Sequence, residues 1–590
     1  IYIFVVIALA LLAVSDLAVG VANDAVNFLN SAFGSKVAPV RTILIIASLG
    51  VLVGATFSSG MMEIARKGIF NPAMFSFSDV MIIFVAVMVT DIILLDIFNT
   101  LGLPTSTTVS IIFELLGASV GVALVIVSGN PEAGSISNYI NSANALTIIL
   151  GILISIVVAF SVGSVVQYIT RVVFSFNYER NFKYLGAIWG GIAITTITYF
   201  IIIKGAKGSA LMKPEMIEWI MGNSRKLMLL SFVGWTIILQ VLYSVFRVNI
   251  LKIIVLVGTF SLAMAFAGND LVNFIGVPLA GYEAFKIWIS SGAAPEALGM
   301  SGLAGALKTP SIFLLISGAV MVLALWFSKK ARSVTKTEIN LSRQDEGFER
   351  FESSALSRAV VRQGVGLSKF FKFIMPDRFM TWVDTRFDQT ESMKIQKEQG
   401  AKFDLLRASV NLTVASALIA IGTSYKLPLS TTYVTFMVAM ATALADRSWG
   451  RESAVYRISG VVTVVAGWFV TALAAFTVSM LAALFLTKTG IIGILILLPI
   501  VVGIVLYSYM AHKRRTKSEE LKESKYISSK AKAADYVPEC QNYLITNIIL
   551  LSGLYDKSII GLIKEDRKKL RTLRKSVAEM NHEIKRRKDS

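Results

Sequence analysis

Largely apolar runs, many as long as a membrane crossing, recur along this chain, where a soluble strand or helix would interleave apolar with polar positions. Such runs occupy 1–20, 42–60, 80–101, 109–128, 146–168, 185–203, 227–246 and 250–267, then 311–327, 405–421, 434–444, 461–486 and 491–510. A membrane helix needs about 20 largely apolar residues. The pattern therefore predicts an all-α polytopic membrane protein with about ten to thirteen transmembrane segments, some of them broken or re-entrant. Residues 1–14 lack the basic start of a signal peptide and lead straight into polar signature residues, so they are expected to lie inside the first span.

Two charged stretches interrupt the apolar ones, 329–402 and 512–590. Each follows a span directly, through Lys329 and Lys330 in one case and Lys513, Arg514 and Arg515 in the other. Basic residues are retained on the cytoplasmic side, so both are placed there. Four apolar segments lie between them, an even number, and the two placements agree. The insert is rich in aromatics such as Phe348, Phe351, Phe370, Phe371, Phe373, Trp382 and Phe387. It is expected to form amphipathic helices along the inner leaflet or against the bundle.

A repeat organises the apolar part. Ala22-Asn23-Asp24-Ala25-Val26-Asn27-Phe28 matches Gly268-Asn269-Asp270-Leu271-Val272-Asn273-Phe274, and both follow a run of span length. Further on, Leu103-Pro104-Thr105-Ser106-Thr107-Thr108 matches Leu427-Pro428-Leu429-Ser430-Thr431-Thr432. Each copy reads span, N-D-x-x-N, span, span, P-x-S-T-T. If each N-D-x-x-N interrupts its span, seven spans separate the starts of the copies. An odd count makes them two inverted repeats, a construction found in secondary transporters with a midplane site. The expected organisation is a first transmembrane repeat at 1–128, connecting transmembrane helices at 129–249 and the first part of the second repeat at 250–328. The basic cytoplasmic insert at 329–402 follows, then the rest of the second repeat with the final spans at 403–511, and a cytoplasmic helical tail at 512–590.

Composition sharpens the picture. Of 590 residues 55% are hydrophobic and only 16% charged, and the mean hydropathy is +0.68. The formal net charge of +19 reports membrane topology, and no nucleic-acid partner is expected. Cys540 is the only cysteine, and His512 and His582, both outside the spans, are the only histidines. That leaves no disulfide framework, no transition-metal site in the membrane, no histidine proton relay and no call for an organic cofactor.

The conserved pattern of the two copies carries the chemistry. A charge at the bilayer centre costs about 2.5–3.5 kcal/mol, and no lysine or arginine lies near Asp24 or Asp270 in sequence. A bound cation, sodium or a proton, is the simplest partner. Asn23, Asn27, Asn269 and Asn273 add amides that donate and accept. Ser106, Thr107, Thr108, Ser430, Thr431 and Thr432 read as helix starts after a proline. A helix starting in mid-membrane aims its free N–H groups and positive dipole end at an anion. These twelve residues are the candidate phosphate-binding set. Asp24, Asp270, Asn23, Asn269, Thr108 and Thr432 double as candidates for binding sodium or coupling another cation. Bare carboxylates repel a phosphate dianion, so a cation must neutralise them first, and that requirement couples the two fluxes. Asp91, Asp96 and Glu114 are further intramembrane carboxyls. The spacings Gly50/Gly54 and Gly186/Gly190 read as helix packing.

At these motifs the chain resembles the PiT family of inorganic phosphate transporters. Arg66-Lys67-Gly68-Ile69 and Gly467-Trp468-Phe469-Val470-Thr471 also resemble that family's pattern. The resemblance extends over roughly 1–486. It implies a symporter of inorganic phosphate with sodium or protons, a homodimer in the lipid bilayer, and a shared site built by the two N-D-x-x-N motifs. A bacterial cytoplasmic membrane is the expected location. Val109 and Tyr433 stand where many members carry His after S-T-T, which tilts the coupling ion toward sodium. The family includes sulfate transporters, so a sulfate symporter is the alternative within the class. An intramembrane enzyme acting on phosphoryl groups and a passive anion channel are the alternatives outside it. No P-loop or H-E-x-x-H signature supports an enzyme, and paired aspartates would block a bare anion in a channel. The tail, apolar at 543–555 and basic from Lys564, resembles PhoU-like helical hairpins, with a regulatory role as the expectation.

Overall fold

The computed structural model describes residues 2–56, 58, 62, 64–101, 104–199, 213–305, 310–342, 354–355, 357–359, 361–363, 376–389, 400–424, 429–447, 451–528, 536–563 and 566–588. Leu103, Leu427 and Pro428 of the motifs lie outside these residues, as do Phe348, Phe351, Phe370, Phe371 and Phe373 of the insert. Among the described residues the chain is helical, with isolated bridges at Phe70–Ile140 and Ser76–Gly299.

The apolar runs become helices close to where the sequence places them. These are α1 (Tyr2–Asp24), α2 (Val26–Gly34), α3 (Val40–Thr56), α4 (Phe77–Leu101), α5 (Thr107–Gly129), α6 (Ser142–Phe174), α7 (Glu179–Thr198) and α8 (Ser224–Ser244). They continue as α9 (Ile250–Ser291), α10 (Ser311–Phe327), α11 (Lys329–Ser342), α12 (Asp377–Arg386), α13 (Leu405–Ser424), α14 (Thr431–Ala445), α15 (Arg451–Thr489) and α16 (Ile491–Ser528). Ten stretches among the described residues are long and apolar enough to cross a membrane, and three shorter apolar helices, α3, α10 and α14, add to them. The protein is an integral, multi-pass membrane protein.

Equivalent helices of the two copies make equivalent contacts. α1 packs on α4 as α9 packs on α13, and α4 on α5 as α13 on α14. Each motif helix also packs on the other copy's second helix, α9 on α3 and α1 on α10. Finally α5 lies along α15 as α14 lies along α6. The close approaches depend on glycine. A Cβ at Gly50 or Gly54 of α3 would stand 2.3 and 2.2 Å from the carbonyl oxygens of Phe260 and Met264 on α9.

The parity count takes each N-D-x-x-N as an interruption of its span. The first copy does break for one residue, Ala25, between α1 and α2, but α9 runs helically through Asn269, Asp270 and Asn273. The i to i+4 spacing of the two Asn residues already suits a continuous helix, so the motif needs no break to present its side chains.

The start of the insert lies against the bundle. α11 packs on α1, α2, α4 and α14. Lys330 Nζ reaches Asp96 Oδ1 at 2.5 Å, and Asn30 Nδ2 donates to the buried Glu338 Oε1 at 2.5 Å.

The chain divides into two compact units, one of residues 1–345 and 351–508, the other of 346–350 and 509–590. In the second, α17 (Tyr536–Ile563) packs on α18 (Arg567–Lys588). Gln541–Ile563 has the length and composition of a span, within a stretch expected from its charge to be a cytoplasmic tail.

Candidate functional site

Both P-x-S-T-T segments are helix starts, and the serine is the cap in each. Ser106 Oγ accepts from Val109 N at 3.1 Å, and Ser430 Oγ accepts from Tyr433 N at 3.1 Å. An N-terminal helical turn leaves its first N–H groups without an intrahelical acceptor. Here those of Thr107, Thr108, Thr431 and Thr432 belong to residues buried at membrane depth. The first start is pinned from α15, where Trp468 Nε1 donates to Pro104 O at 3.3 Å and Thr471 Oγ1 lies 3.1 Å from Thr105 Oγ1.

The two starts meet both N-D-x-x-N motifs at one place. Asp24 accepts from Thr107 Oγ1 at 2.7 Å and from Thr432 Oγ1 at 3.2 Å. Asp270 accepts from Thr108 Oγ1 at 3.1 Å and from Thr431 Oγ1. Each aspartate thus holds one hydroxyl from each copy. The asparagines close the pattern from the other side. Asn27 Nδ2 donates to Thr431 and Thr432 at 3.2 and 3.0 Å, and Asn273 Nδ2 to Thr107 and Thr108 at 3.2 and 3.0 Å. Every one of the four threonine oxygens therefore receives an amide proton while giving its own proton to a carboxylate.

The remaining two asparagines fix the motifs in place. Asn23 takes the Thr105 N–H at 3.0 Å and donates to Asn99 Oδ1 at 2.8 Å. Asn269 Nδ2 donates to Leu429 O at 2.9 Å and to Asp270 Oδ1 at 2.7 Å. All twelve residues singled out in the sequence are brought together and buried, none more than 3% exposed. Among the described residues no lysine, arginine or histidine forms an ion pair with Asp24 or Asp270.

Comparison with known proteins now decides the lineage: the sequence profile of the phosphate transporter family matches residues 20–337, which contain both N-D-x-x-N motifs and the first P-x-S-T-T. The chain belongs to the phosphate transporter family. Among curated relatives it is 26% identical over 301 residues to a protein of Pyrococcus furiosus named as a phosphate permease, covering 48% of this chain and 68% of that one. Similar proteins of Pyrococcus abyssi and Thermococcus kodakarensis, also named as phosphate permeases, are 29% and 32% identical, each match covering 32% of this chain and 45% of the relative. A solved structure titled as the sodium-dependent phosphate transporter shares the fold at a TM-score of 0.55 and 18% identity, over 82% of this chain and 99% of its own.

Within this phosphate transporter family member, sequence reasoning left out several polar residues. Asn99 supports Asn23, and Thr435 Oγ1 donates to Asn27 Oδ1 at 3.2 Å. Thr435 lies one helical turn beyond Thr431, which is the signal that could have found it. Asp16 is the third, a lone carboxyl inside the apolar run of α1. Of the additional carboxyls that were singled out, Asp96 pairs with Lys330, while Asp91 and Glu114 lie near Asp16, outside the hydrogen bonds of the twelve-residue site, with Asp91 near enough to feel the charge of Asp24.

Proposed function

We propose that this chain imports inorganic phosphate by symport with sodium, through alternating access around the twelve-residue site. The observation that carries the reading is the sharing of each aspartate between the two copies. Asp24 and Asp270 are each held by hydroxyls from both P-x-S-T-T starts, at the N-terminal turns of two helices and, among the described residues, with no ion pair to a basic side chain.

Two carboxylates in low dielectric exclude a phosphate dianion. Sodium is a hard cation that takes oxygen ligands, and the carboxylates, threonine hydroxyls and asparagine carbonyls supply such ligands. With sodium in place, the carboxylates turn from repulsive to neutralised. The N–H groups of Thr107, Thr108, Thr431 and Thr432 and the hydroxyls of Ser106 and Ser430 then become the phosphate ligands. Neutralisation first and anion second is the physical basis of coupling. Sodium is favoured over protons because Val109 and Tyr433 replace the histidine of many relatives, and because the solved neighbour bears a sodium-dependent title. The equivalent contacts of α1 with α4 and of α9 with α13 suit two inverted halves that rock about this point.

The test is radiolabelled phosphate uptake into proteoliposomes under an inward sodium gradient, a proton gradient or neither. Sodium-driven uptake that is lost in both Asp24→Asn and Asp270→Asn is the expected result. Uptake that needs no cation gradient sinks symport, and uptake of sulfate in place of phosphate sinks the choice of anion.

A further inference from the structure

A second set of intramembrane carboxyls lies outside the phosphate site. Asp91 on α4 and Glu114 on α5 are fully buried, and Ser110 Oγ donates to Glu114 Oε1 at 2.7 Å. From a third helix, α1, the fully buried Asp16 is aimed at Asp91, within side-chain hydrogen-bonding range of it. Neither oxygen of Asp16 and not Glu114 Oε2 has a hydrogen-bond donor among the described residues, and beside Asp91 stands the Ser110 hydroxyl, whose proton goes to Glu114. Asp91 in turn lies within the same range of Glu114.

Three carboxyls in series thus make two carboxyl-to-carboxyl contacts. An ionised carboxylate only accepts, so two of them face to face repel. A proton in each contact turns repulsion into an O–H···O hydrogen bond, as in acid pairs that share a proton.

Among the described residues no fixed cation forms an ion pair with any of the three. α1, α4 and α5 contain no Lys, Arg or His. Their other acids are accounted for: Asp24 in the phosphate site, Asp79 held by Ser76, and Asp96 on Lys330. The helices packed against them have few ionisable residues. α10 has no ionisable residue, α2 has none, and α15 has none between Arg457 and Lys488. On α9, Asp270 belongs to the phosphate site, Glu283 pairs with Arg66, Lys286 lies over Tyr282, and Lys252 sits in the first turn. On α11, Glu338 holds Asn30 and Lys330 holds Asp96, while Lys336 is exposed.

The repeat supplies an internal control. Asp16 stands eight residues before Asp24, and eight before Asp270 stands Leu262. Glu114 stands eight after Ser106, and eight after Ser430 stands Val438. Asp91 stands thirteen before Pro104, and thirteen before Pro428 stands Ala415. Leu262, Val438 and Ala415 are all buried. An apolar core therefore serves for packing at this depth in one copy, whereas the other places three acids there.

We propose that Asp16, Asp91 and Glu114 form a proton-binding site, beside the phosphate site but outside its hydrogen bonds, whose carboxyls share protons at neutral pH. It joins α1, which carries Asp24, to α5, which carries Thr107 and Thr108. The proton site does not depend on phosphate being the cargo. Acid flux is a poor readout, because phosphate carries titratable protons of its own.

Infrared spectroscopy of the full chain in lipid, without phosphate, reads the site directly. The carbonyl stretch of protonated carboxylic acids, shifting in heavy water, should persist at a pH of about 7, well above the ordinary carboxyl range. It should weaken in Asp91→Asn and again in Glu114→Gln, both in an Asp24→Asn/Asp270→Asn/Glu338→Gln background that removes the phosphate-site carboxyls and the buried Glu338 from the signal. Asp96→Asn should leave it unchanged. The neutral amides replace neutral acids and should fold; if one of them does not, Asp16→Asn in the same background makes the same test. Absence of the band at neutral pH overturns the proposal. So does a band insensitive to Asp91→Asn and Glu114→Gln, or one that disappears when sodium is added at constant pH, which would make the cluster a sodium site.

Discussion

Asp24 and Thr432 stand 408 residues apart and meet across a hydrogen bond of 3.2 Å, the hydroxyl of the second copy donating to the carboxylate of the first. Asp270 and Thr108 form the reciprocal bond at 3.1 Å. The carboxylate of each copy is therefore held in part by the other, and neither copy contains a complete site.

That exchange predicts strong coupling between Asp24 and Thr432. Asp24→Asn removes the charge, and Thr432→Val removes the donor at nearly constant volume. Residues sharing one hydrogen-bond network typically couple by about 0.5–3 kcal/mol. In a double-mutant cycle on the unfolding stability of the purified protein, the effect of the double variant should differ from the sum of the two single effects by an amount in that range. Additive effects would mean that the two residues act independently.

The serine caps separate helix stability from anion binding. Replacing a capping serine by alanine costs about 1 kcal/mol, so Ser106→Ala should lower the thermal stability of the purified protein and weaken phosphate uptake roughly 5-fold. Ser106→Asp preserves the cap because Asp caps as well as Ser does. It also places a negative charge where an anion is to bind. Its stability should return toward that of the parent while uptake disappears, and uptake surviving in a stable Ser106→Asp protein would move the anion away from this helix start.

Helix approach gives a test of the fold itself. A Cβ at Gly117 on α5 would lie 2.1 Å from the Phe476 carbonyl oxygen on α15, whereas Gly234 on α8 has nothing within 4 Å of its Cβ position. Gly117→Ala should therefore destabilise by about 1–3 kcal/mol. Gly234→Ala should be neutral or stabilising by about 0.5–1 kcal/mol, since Ala is the better helix former. Thermal unfolding in detergent compares the two, and equal effects would place α5 and α15 further apart than the structure has them.

The membrane class, most helix positions and all twelve residues of the candidate site were legible in the sequence, because apolar runs of span length and a doubled motif are local patterns. Which threonine bonds which aspartate was not, since Asp24 to Thr432 is a tertiary contact. The uninterrupted α9 was misjudged because a polar N-D-x-x-N inside an apolar run looks like a break, although a helix can carry it on one face. Asp16 was passed over for the opposite reason. It stands alone in an apolar run, and only folding brings Asp91 to it. The packing of α11 on the bundle was one of two expectations for a charged segment, and Glu338 and Lys330 decide it by finding partners on α2 and α4.

Glu338 makes that packing sensitive to pH. Burial pushes its carboxyl up from the ordinary 4.5 to about 8, with the Asn30 amide opposing the shift only partly. The sign follows from linkage. A carboxyl whose pKa is raised on docking holds its proton more tightly when docked, so docking is unpenalised below about 4.5. It weakens as pH rises from there to about 8 and is constant above. The slope within that window is at most about 1.4 kcal/mol per pH unit. Hydrogen exchange of the α11 amides, corrected for the intrinsic pH dependence, should therefore show more protection at pH ~6 than at pH ~8. Glu338→Gln keeps a neutral side chain in the same place and should hold the protection at its low-pH level throughout. Protection of the unsubstituted chain that stays constant between those two pH values would show that Glu338 is already ionised where it sits against α2, and that Asn30 alone suffices to hold it there.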